Sequence, residues 1–218
     1  MYQVQLKDFM GTDLSVVNAA RVSFDKQSET LTDADKGLIR FLMKNKHATP
    51  FEHAVLQFYV ETNRRVSAEF MRHRTFSYNE MSTRYTEVVP EGYVPDDDHM
   101  RIQKGRPGAY RFEAMDPALA HEFQTELATF NDTVAAFYEN LIERGYPKEL
   151  AAYVLTLGNT TKFWVTGNLR NWFNFLTLRT ASNALMEIRD VANAIEEHIA
   201  AHFPECYAAW IESGRSQI

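Results

Sequence analysis

Apolar residues recur at intervals of three and four between residues 117 and 144, and this repeat limits the fold of the chain most strongly. Such spacing puts apolar side chains on one face of an α-helix. Asp116 and Pro117 are typical of a helix start, and Gly145 of a helix stop. The sequence therefore predicts one long helix, whose apolar positions are Leu119, Phe123, Leu127, Phe130, Val134, Phe137 and Leu141.

Strand patterns occur early in the chain. Residues 4–9 alternate apolar and polar side chains, and residues 55–62 combine alternation with β-branched and aromatic residues. Helical spacing lies between them over residues 33–44, and a short helix is predicted over residues 66–70. The first part of the chain is therefore expected to mix strands and helices.

The second half is expected to be almost entirely helical. Proline and glycine over residues 89–109 indicate an irregular connection, and helices are predicted after Pro147, within residues 169–178 and over residues 182–202. Pro204 is expected to end the last of these. Few strands with long helices predict an α+β fold, formed by a single domain over residues 1–218.

Composition bounds the class of protein. The 218 residues carry a formal net charge of −6 and one cysteine, Cys206, which can form no intramolecular disulfide. Because residues 1–9 do not resemble a signal peptide and no apolar run approaches the roughly 20 residues that span a bilayer, we expect a cytoplasmic protein without membrane contact. The acidic balance argues against broad binding to nucleic acid.

A local excess of arginine stands out against this acidic background. Residues 64–84 hold five arginines and two glutamates, a local charge of +3. Guanidinium groups match phosphate and carboxylate oxygens two at a time, so a site for an anionic ligand is one interpretation. A solvated loop whose arginines pair with surface acids is the other.

The order of residues in this stretch favours the first interpretation. Arg72-His73-Arg74, Ser77, Asn79-Glu80, Ser82 and Arg84-Tyr85 resemble, at these offsets, the signature of the flavin-dependent thymidylate synthases. Residues 47–53, which include His47, Thr49, Glu52 and His53, and residues 166–179 resemble two further segments of that family.

The resemblance implies a fold, an assembly and a reaction. The fold would be a small, mostly antiparallel sheet wrapped by long helices, assembled as a homotetramer whose active sites are shared between subunits. The enzyme would be a methyltransferase that converts dUMP to dTMP. Methylenetetrahydrofolate would be the carbon donor, FAD the redox carrier and NADPH the reductant.

The resemblance also assigns roles to individual residues. Arg179 would be catalytic, as the cation that activates the pyrimidine. FAD would be bound by Thr49, Arg72, His73, Arg74, Glu80, Asn168, Arg170 and Asn174. The nucleotide would be bound by Glu69, Arg72, Glu80, Ser82, Thr83, Arg84 and Arg179, with Ser82, the main chain at Thr83, and Arg84 at its phosphate.

The single thiol bears on how uracil C5 is activated. Other thymidylate synthases add a cysteine thiolate to C6, whereas Cys206 lies outside every matched segment. We therefore expect Cys206 to be a buried structural residue. Activation is expected to be electrostatic, by a fixed cation beside the N3/O4 edge of the pyrimidine.

Two departures from the family pattern leave the substrate open. Ala152 stands where the family usually has an arginine of the dUMP pocket, and Asn183 where histidine is common. The enzyme would then make dTMP with altered contacts, or methylate UMP or both nucleotides in nucleoside-antibiotic biosynthesis. A non-catalytic flavin- or nucleotide-binding protein is the alternative from another class.

The sequence does not favour three other kinds of site: a serine nucleophile, a zinc site and an RNA-stacking surface. Ser82 as a nucleophile needs a base in reach, and His73 cannot be placed beside it from sequence. The spacing of His47, Glu52 and His53 matches no zinc pattern, so no metal is predicted. Aromatic residues among the arginines are more often core anchors than an RNA-stacking surface; here they are Phe70, Phe76, Tyr78 and Tyr85.

Overall fold

The alternating residues from Val55 onward form a strand of the main sheet. The computed structural model describes residues 2–107 and 109–218. Its four-stranded sheet has the order β1-β2-β6-β3, and β4 and β5 form a separate antiparallel pair. The strands are β1 (Gln3–Met10), β2 (Val55–Asn63), β3 (Ser77–Glu80), β4 (Arg101–Lys104), β5 (Arg111–Ala114) and β6 (Thr160–Asn168).

Eight α-helices accompany the strands in the described part of the chain, so the α+β prediction is confirmed. They are α1 (Asp13–Arg21), α2 (Asp33–Lys44), α3 (Arg64–Phe70), α4 (Pro117–Glu143), α5 (Lys148–Ala151), α6 (Leu169–Arg179), α7 (Met186–His202) and α8 (Pro204–Glu212). Helix α4 is the predicted long helix, and Asp116 caps it by accepting hydrogen bonds from the N–H groups of Ala118 and Leu119.

The expectation of an almost entirely helical second half is wrong. Strand β6 lies between β2 and β3 in the sheet, and its residues alternate between buried and more exposed along its length. Pro204 follows the end of α7 as predicted, but it also begins a further helix, α8, at a position where proline is well tolerated.

Three shorter strands, β3, β4 and β5, were also not predicted. Strand β3 lies inside the arginine-rich stretch, and β4 lies inside the connection over residues 89–109, where it pairs with β5 from Arg101 opposite Ala114 to Lys104 opposite Arg111. Gly108, which belongs to that connection, lies outside the described residues. The other described residues of the connection are irregular, as expected, apart from a 3₁₀ turn at Asp97–His99 and an isolated β-bridge between Gly92 and Asn159.

The chain forms two compact units that alternate along the sequence. The first comprises Tyr2, Glu61–Phe70 and Glu80–Lys162, and the second comprises Gln3–Val60, Met71–Asn79 and Phe163–Ile218. A single domain over residues 1–218 stays a prediction.

Each unit has its own apolar centre. In the second unit, Phe58 meets Trp172 edge-on at 5.0 Å between ring centroids, and Phe173 stacks on Trp210 at 5.2 Å. In the first, Val88, Tyr138 and Ala151 form a buried cluster, and the Tyr138 hydroxyl accepts a hydrogen bond from the Val88 N–H at 3.1 Å. That cluster holds the chain after Arg84 against α4 and α5.

The apolar positions of α4 are mostly exposed. Leu119, Phe123, Phe130 and Phe137 are 48, 45, 54 and 52% exposed, whereas Tyr138 is buried. Among residues 2–107 and 109–218, no helix is long and apolar enough to cross a membrane. The cytoplasmic location stays a prediction.

Cys206 is fully buried at the start of α8, which confirms the expected structural position. Its N–H donates to the Asp13 carboxylate at 2.9 Å. Burial, followed by the neighbouring charge of Asp13, raises the pKa of the Cys206 thiol well above its ordinary value. A thiol in these surroundings stays protonated and is a poor nucleophile.

Candidate active site

Helix α6 carries several residues to which the family resemblance assigns ligands. Asn168 ends β6 and caps α6, because its side-chain oxygen accepts the N–H of Asn171 at 3.0 Å. Arg170 and Asn174 are one turn apart and share a face. Arg179 is nine residues after Arg170, which is about two and a half helical turns, so it lies on the opposite face.

Arg179 is held by His73, another predicted site residue. The Arg179 Nε–H donates to Nε2 of His73 at 2.9 Å, so the imidazole is the acceptor and carries its proton on Nδ1. Burial lowers the pKa of His73 from its ordinary 6.5 to about 4, and the charge of Arg179 adds to the effect. A neutral imidazole thus orients the Arg179 guanidinium.

Aromatic packing fixes the backbone that carries His73. Phe76 is buried with its ring centroid 4.3 Å from that of Trp172, and a Cβ added at Gly167 would be 2.1 Å from the Phe76 ring. A side chain at position 167 would therefore collide with the Phe76 ring, and glycine allows the ring to pack there. The Asn171 amide also donates to the carbonyl of Thr75 at 3.0 Å, which ties the segment to α6.

The lowered pKa of His73 predicts a pH-dependent contribution to stability. Since the unfolded histidine titrates near 6.5 and the folded one near 4, the unfolded chain takes up this proton first as pH falls. The part of the stability that depends on neutral His73 is fully present above pH 6.5. It is lost progressively as the pH falls towards 4. A His73→Gln variant, whose amide oxygen still accepts from Arg179, should therefore lose less stability between about pH 7 and about pH 5.

Urea unfolding of the two proteins at both pH values measures this difference. His121→Gln, at an exposed position on α4, is the matched control and should follow the unsubstituted chain. Equal pH slopes in the unsubstituted chain and His73→Gln would refute the assignment.

The opposite face of α6 meets two other parts of the second unit. Arg170 donates from Nη1 to the Glu52 carboxylate at 2.6 Å and from Nε to the carbonyl of Ile218 at 3.2 Å. Asn174 donates to the same carbonyl at 3.0 Å and accepts the Ile218 N–H at 2.9 Å. The Glu52 partner lies in the matched segment over residues 47–53, whereas nothing in the sequence pattern pointed to Ile218.

Glu80 lies at the end of β3 in the first unit. Its Oε1 accepts hydrogen bonds from the hydroxyls of Ser67 at 2.9 Å and Thr161 at 2.7 Å, both of them buried residues. These two hydroxyl donors fix the orientation of the carboxylate. Thr161 belongs to β6, so missing that strand meant missing this partner.

Ser82 and Arg84 lie in a turn that follows β3. The Ser82 hydroxyl accepts the N–H of Arg84 at 3.2 Å, and the exposed Arg84 guanidinium donates to the Glu149 carboxylate at 2.9 Å. Glu149 lies on α5, three residues before Ala152, which begins a 3₁₀ turn. The residue that departs from the family pattern is therefore about one turn from the partner of Arg84.

The sequence that carries these elements and residues matches the model of a known protein family. A family model described as Thy1, thymidylate synthase complementing protein, matches residues 5–205, which is most of the chain. The chain belongs to the Thy1 family. The match includes all three segments whose residues carried the resemblance.

Two relatives of this Thy1 chain are similar to it over nearly their whole length. A flavin-dependent thymidylate synthase from Thermosipho melanesiensis is 37% identical over 211 residues, which are 96% of this chain and 90% of that protein. Another from Tropheryma whipplei is 37% identical over 228 residues, covering 97% of this chain and 93% of its own.

Solved structures are also similar to the Thy1 chain. The UMP/dUMP methylase PolB from Streptomyces cacaoi, bound with 5-Br UMP, superposes with a TM-score of 0.93 at 33% identity, covering all of this chain and 97% of PolB. The same protein bound with 5-Br dUMP gives the same TM-score and identity. The likeness confirms the predicted fold class.

The remaining predicted residues of the Thy1 chain lie on or beside the same elements. Arg72 and Arg74 are exposed and flank His73, and Thr49 is exposed at the start of the 3₁₀ turn Thr49–His53. Glu69 is half-buried on α3, and Thr83 is half-buried between Ser82 and Arg84. Asn183 is exposed in the link after α6, because that helix ends at Arg179.

The structure also shows where the residues of the three sites not favoured from the sequence lie. In the described part of the Thy1 chain, no three His, Cys, Asp or Glu side chains are grouped so that they would hold a metal ion. Phe70 and Phe76 are buried core residues, as expected for anchors, whereas Tyr78 is half-buried and Tyr85 is exposed. Ser82 contacts the main chain of Arg84, and His73 contacts Arg179.

Proposed function

We propose that this chain is a flavin-dependent methyltransferase that converts dUMP to dTMP. Methylenetetrahydrofolate supplies the one-carbon unit and NADPH supplies the hydride, with FAD as the redox carrier, so the other products are tetrahydrofolate and NADP⁺. Family membership and relatives named flavin-dependent thymidylate synthase support the proposal.

The observation that carries the proposal is the pairing of Arg179 with neutral His73. A half-buried guanidinium of fixed orientation can stabilise negative charge that develops on N3 and O4 of uracil. This raises the nucleophilicity of C5 without a covalent bond to the protein. The buried, protonated Cys206 gives the chain no second route through a thiolate.

The donors on the other face of α6 fit a flavin dinucleotide. The Arg170 side chain is 39% exposed and keeps a forked guanidinium beside the segment that carries Thr49. Such forks suit the paired phosphates of FAD, and the exposed Arg72 and Arg74 add positive charge. When bound, the flavin supplies the hydride chemistry, and the protein supplies orientation and charge.

The turn at Ser82 and Arg84 is proposed to hold the nucleotide phosphate. The ion pair between Arg84 and Glu149 is exposed, and such pairs contribute little net energy. A phosphate dianion offers the guanidinium a stronger, bidentate partner and can displace Glu149. The hydroxyl of Ser82 and the main chain at Thr83 complete the donors at this turn.

UMP is a second candidate substrate, alone or together with dUMP. PolB, whose structure superposes at a TM-score of 0.93, is a UMP/dUMP methylase. In this chain Ala152 leaves space where an arginine would stand, and that space can accept a ribose 2′-hydroxyl. A relaxed pocket is expected to turn over the two nucleotides at rates within about tenfold of each other, since one hydroxyl contact is worth about 1 kcal/mol.

Three measurements on the purified chain test these proposals. The absorption spectrum reports bound flavin, and NADPH oxidation stimulated by dUMP or UMP separates an enzyme from a flavin carrier. Tritium release from C5-labelled dUMP and UMP compares the two substrates. A protein without flavin, or without release from either nucleotide, would refute the proposed function.

We further propose a homotetramer with active sites shared between subunits. The exposed apolar positions of α4 form a surface of the kind that protein interfaces cover. Helix α6 presents Arg170 and Arg179 on opposite faces, which suits a helix that contributes to two different sites. Both features support the assembly that the family resemblance implies.

Replacing Phe130 with glutamate tests the assembly. Phe130 is 54% exposed, so the substitution is tolerated in a monomer but places a charge inside the proposed interface. The dissociation constant of the tetramer should rise at least about 100-fold, with loss of activity. Sedimentation velocity measures it, and Thr133→Glu, on an exposed position of α4, is the control. A Phe130→Glu protein of unchanged mass would contradict the proposed interface.

A further inference from the structure

The chain after α8 turns back along α6. Gly214 has φ +73° and Arg215 has φ +56°, and such left-handed conformations are uncommon for a residue other than glycine. The Arg215 side chain compensates for this by pairing with Glu196 and by lying over the Trp210 ring, 4.5 Å from its centroid. We call residues 215–218 the strap.

The strap is joined to α6 mainly through its main chain. Thr177 donates its hydroxyl to the carbonyl of Arg215 at 2.8 Å, and Asn174 exchanges two hydrogen bonds with the N–H and C=O of Ile218. Thr177 and Asn174 are three residues apart and therefore share one face of the helix. This exchange uses one amide N–H and one oxygen lone pair of Asn174.

The strap also reaches Arg170. The carbonyl of Ile218 accepts from Arg170 Nε, while Glu52 accepts from Nη1, so two edges of one guanidinium are held. Ile218 is only 8% exposed, which keeps its carbonyl in place. A donor fixed in this way loses less conformational freedom when an anion binds to its remaining N–H groups.

We propose that the strap is a positioning element of the flavin site. Asn174 holds the main chain of Ile218, and Ile218 holds Arg170 in the orientation that binds the phosphates of the dinucleotide. Asn174 can hold the strap and still offer its second amide N–H and the second lone pair of its oxygen to the flavin. This inference rests on the proposed function, which supplies the flavin.

Substitution at Ile218 tests the strap in the intact chain. Ile218→Asp puts a charge at a buried apolar position and should release the strap. The affinity for FAD, measured by fluorescence titration, should fall about tenfold, as expected for the loss of one charge-assisted contact. Riboflavin, which has no phosphates, should bind with unchanged affinity. Ile218→Val and the exposed Gln217→Ala are controls that should keep both affinities.

If Ile218→Asp does not fold, a second variant tests whether the strap positions Arg170. Thr177→Val keeps the shape of the side chain and removes the hydroxyl that donates to Arg215. It should weaken FAD binding selectively, in the same direction as Ile218→Asp. Equal losses for FAD and riboflavin, or unchanged FAD affinity, would overturn the positioning role. If the unsubstituted chain binds no flavin at all, the proposed function itself fails.

Discussion

Replacing Arg179 with alanine is expected to slow uridylate methylation by about 100- to 1,000-fold while FAD stays bound. The Arg179 guanidinium is half-buried and oriented by His73, so water cannot supply an equivalent fixed charge. The FAD contacts proposed for Arg170 lie on the other face of α6, and alanine keeps the helix intact. Tritium release in a single turnover, together with the flavin spectrum, measures both properties.

Two further variants show whether the position of the charge matters. Arg179→Lys keeps a positive charge but lacks the Nε–H that His73 accepts, so it should recover only part of the rate. Arg144→Ala removes an arginine near the end of α4 whose guanidinium lies 5.2 Å from the Tyr146 ring centroid, and it should leave methylation unchanged. Undiminished turnover in Arg179→Ala would remove this residue from the mechanism.

Restoring an arginine at position 152 is expected to change the substrate preference. A charge-assisted contact is worth about 1.5 to 3 kcal/mol, which corresponds to roughly 10- to 150-fold in kcat/KM. Ala152→Arg should raise kcat/KM for dUMP and lower it for UMP, because the longer side chain fills the space proposed for the 2′-hydroxyl. The ratio of the two kcat/KM values is the quantity to measure.

Ala152→Met separates the effect of charge from the effect of volume. Methionine fills similar space without a guanidinium, so it should disfavour UMP but leave dUMP turnover near that of the unsubstituted chain. A selectivity ratio that stays constant across Ala, Met and Arg would place this residue outside the nucleotide pocket.

Much of the fold could be predicted because local periodicity and burial agree. Helix α2 (Asp33–Lys44) and strand β2 have one apolar face each, and the predicted limits are met within a residue. Strand β6 was missed even though Thr160–Asn168 alternates between buried and exposed residues, because helical patterns surround it. Strands β4 and β5 are four residues each, too short for periodicity to distinguish from a loop.

The site was predictable where it depends on residue order and not where it depends on distant contacts. The family-like order singled out His73 and Arg179, and the structure brings them together across 106 positions. No spacing links Arg170 to Ile218, 48 residues further on, because that contact uses the main chain of Ile218. Main-chain acceptors are common to all residues and leave no trace in composition.

The apolar repeat of α4 illustrates a different limit. Periodicity correctly gave the helix and its apolar face, but it did not tell whether the same chain covers that face. Phe123, Phe130 and Phe137 are about half exposed, so the repeat describes a surface that the single chain does not bury. An amphipathic pattern predicts that a helix has an apolar face, but it does not predict what covers that face.

The burial of Cys206 has a consequence for the chain under oxidising conditions. Peroxides and alkylating agents attack thiolates that solvent can reach, and this sulfur is protonated and enclosed. Peroxides and alkylating agents are therefore expected to leave Cys206 unmodified while the chain stays folded.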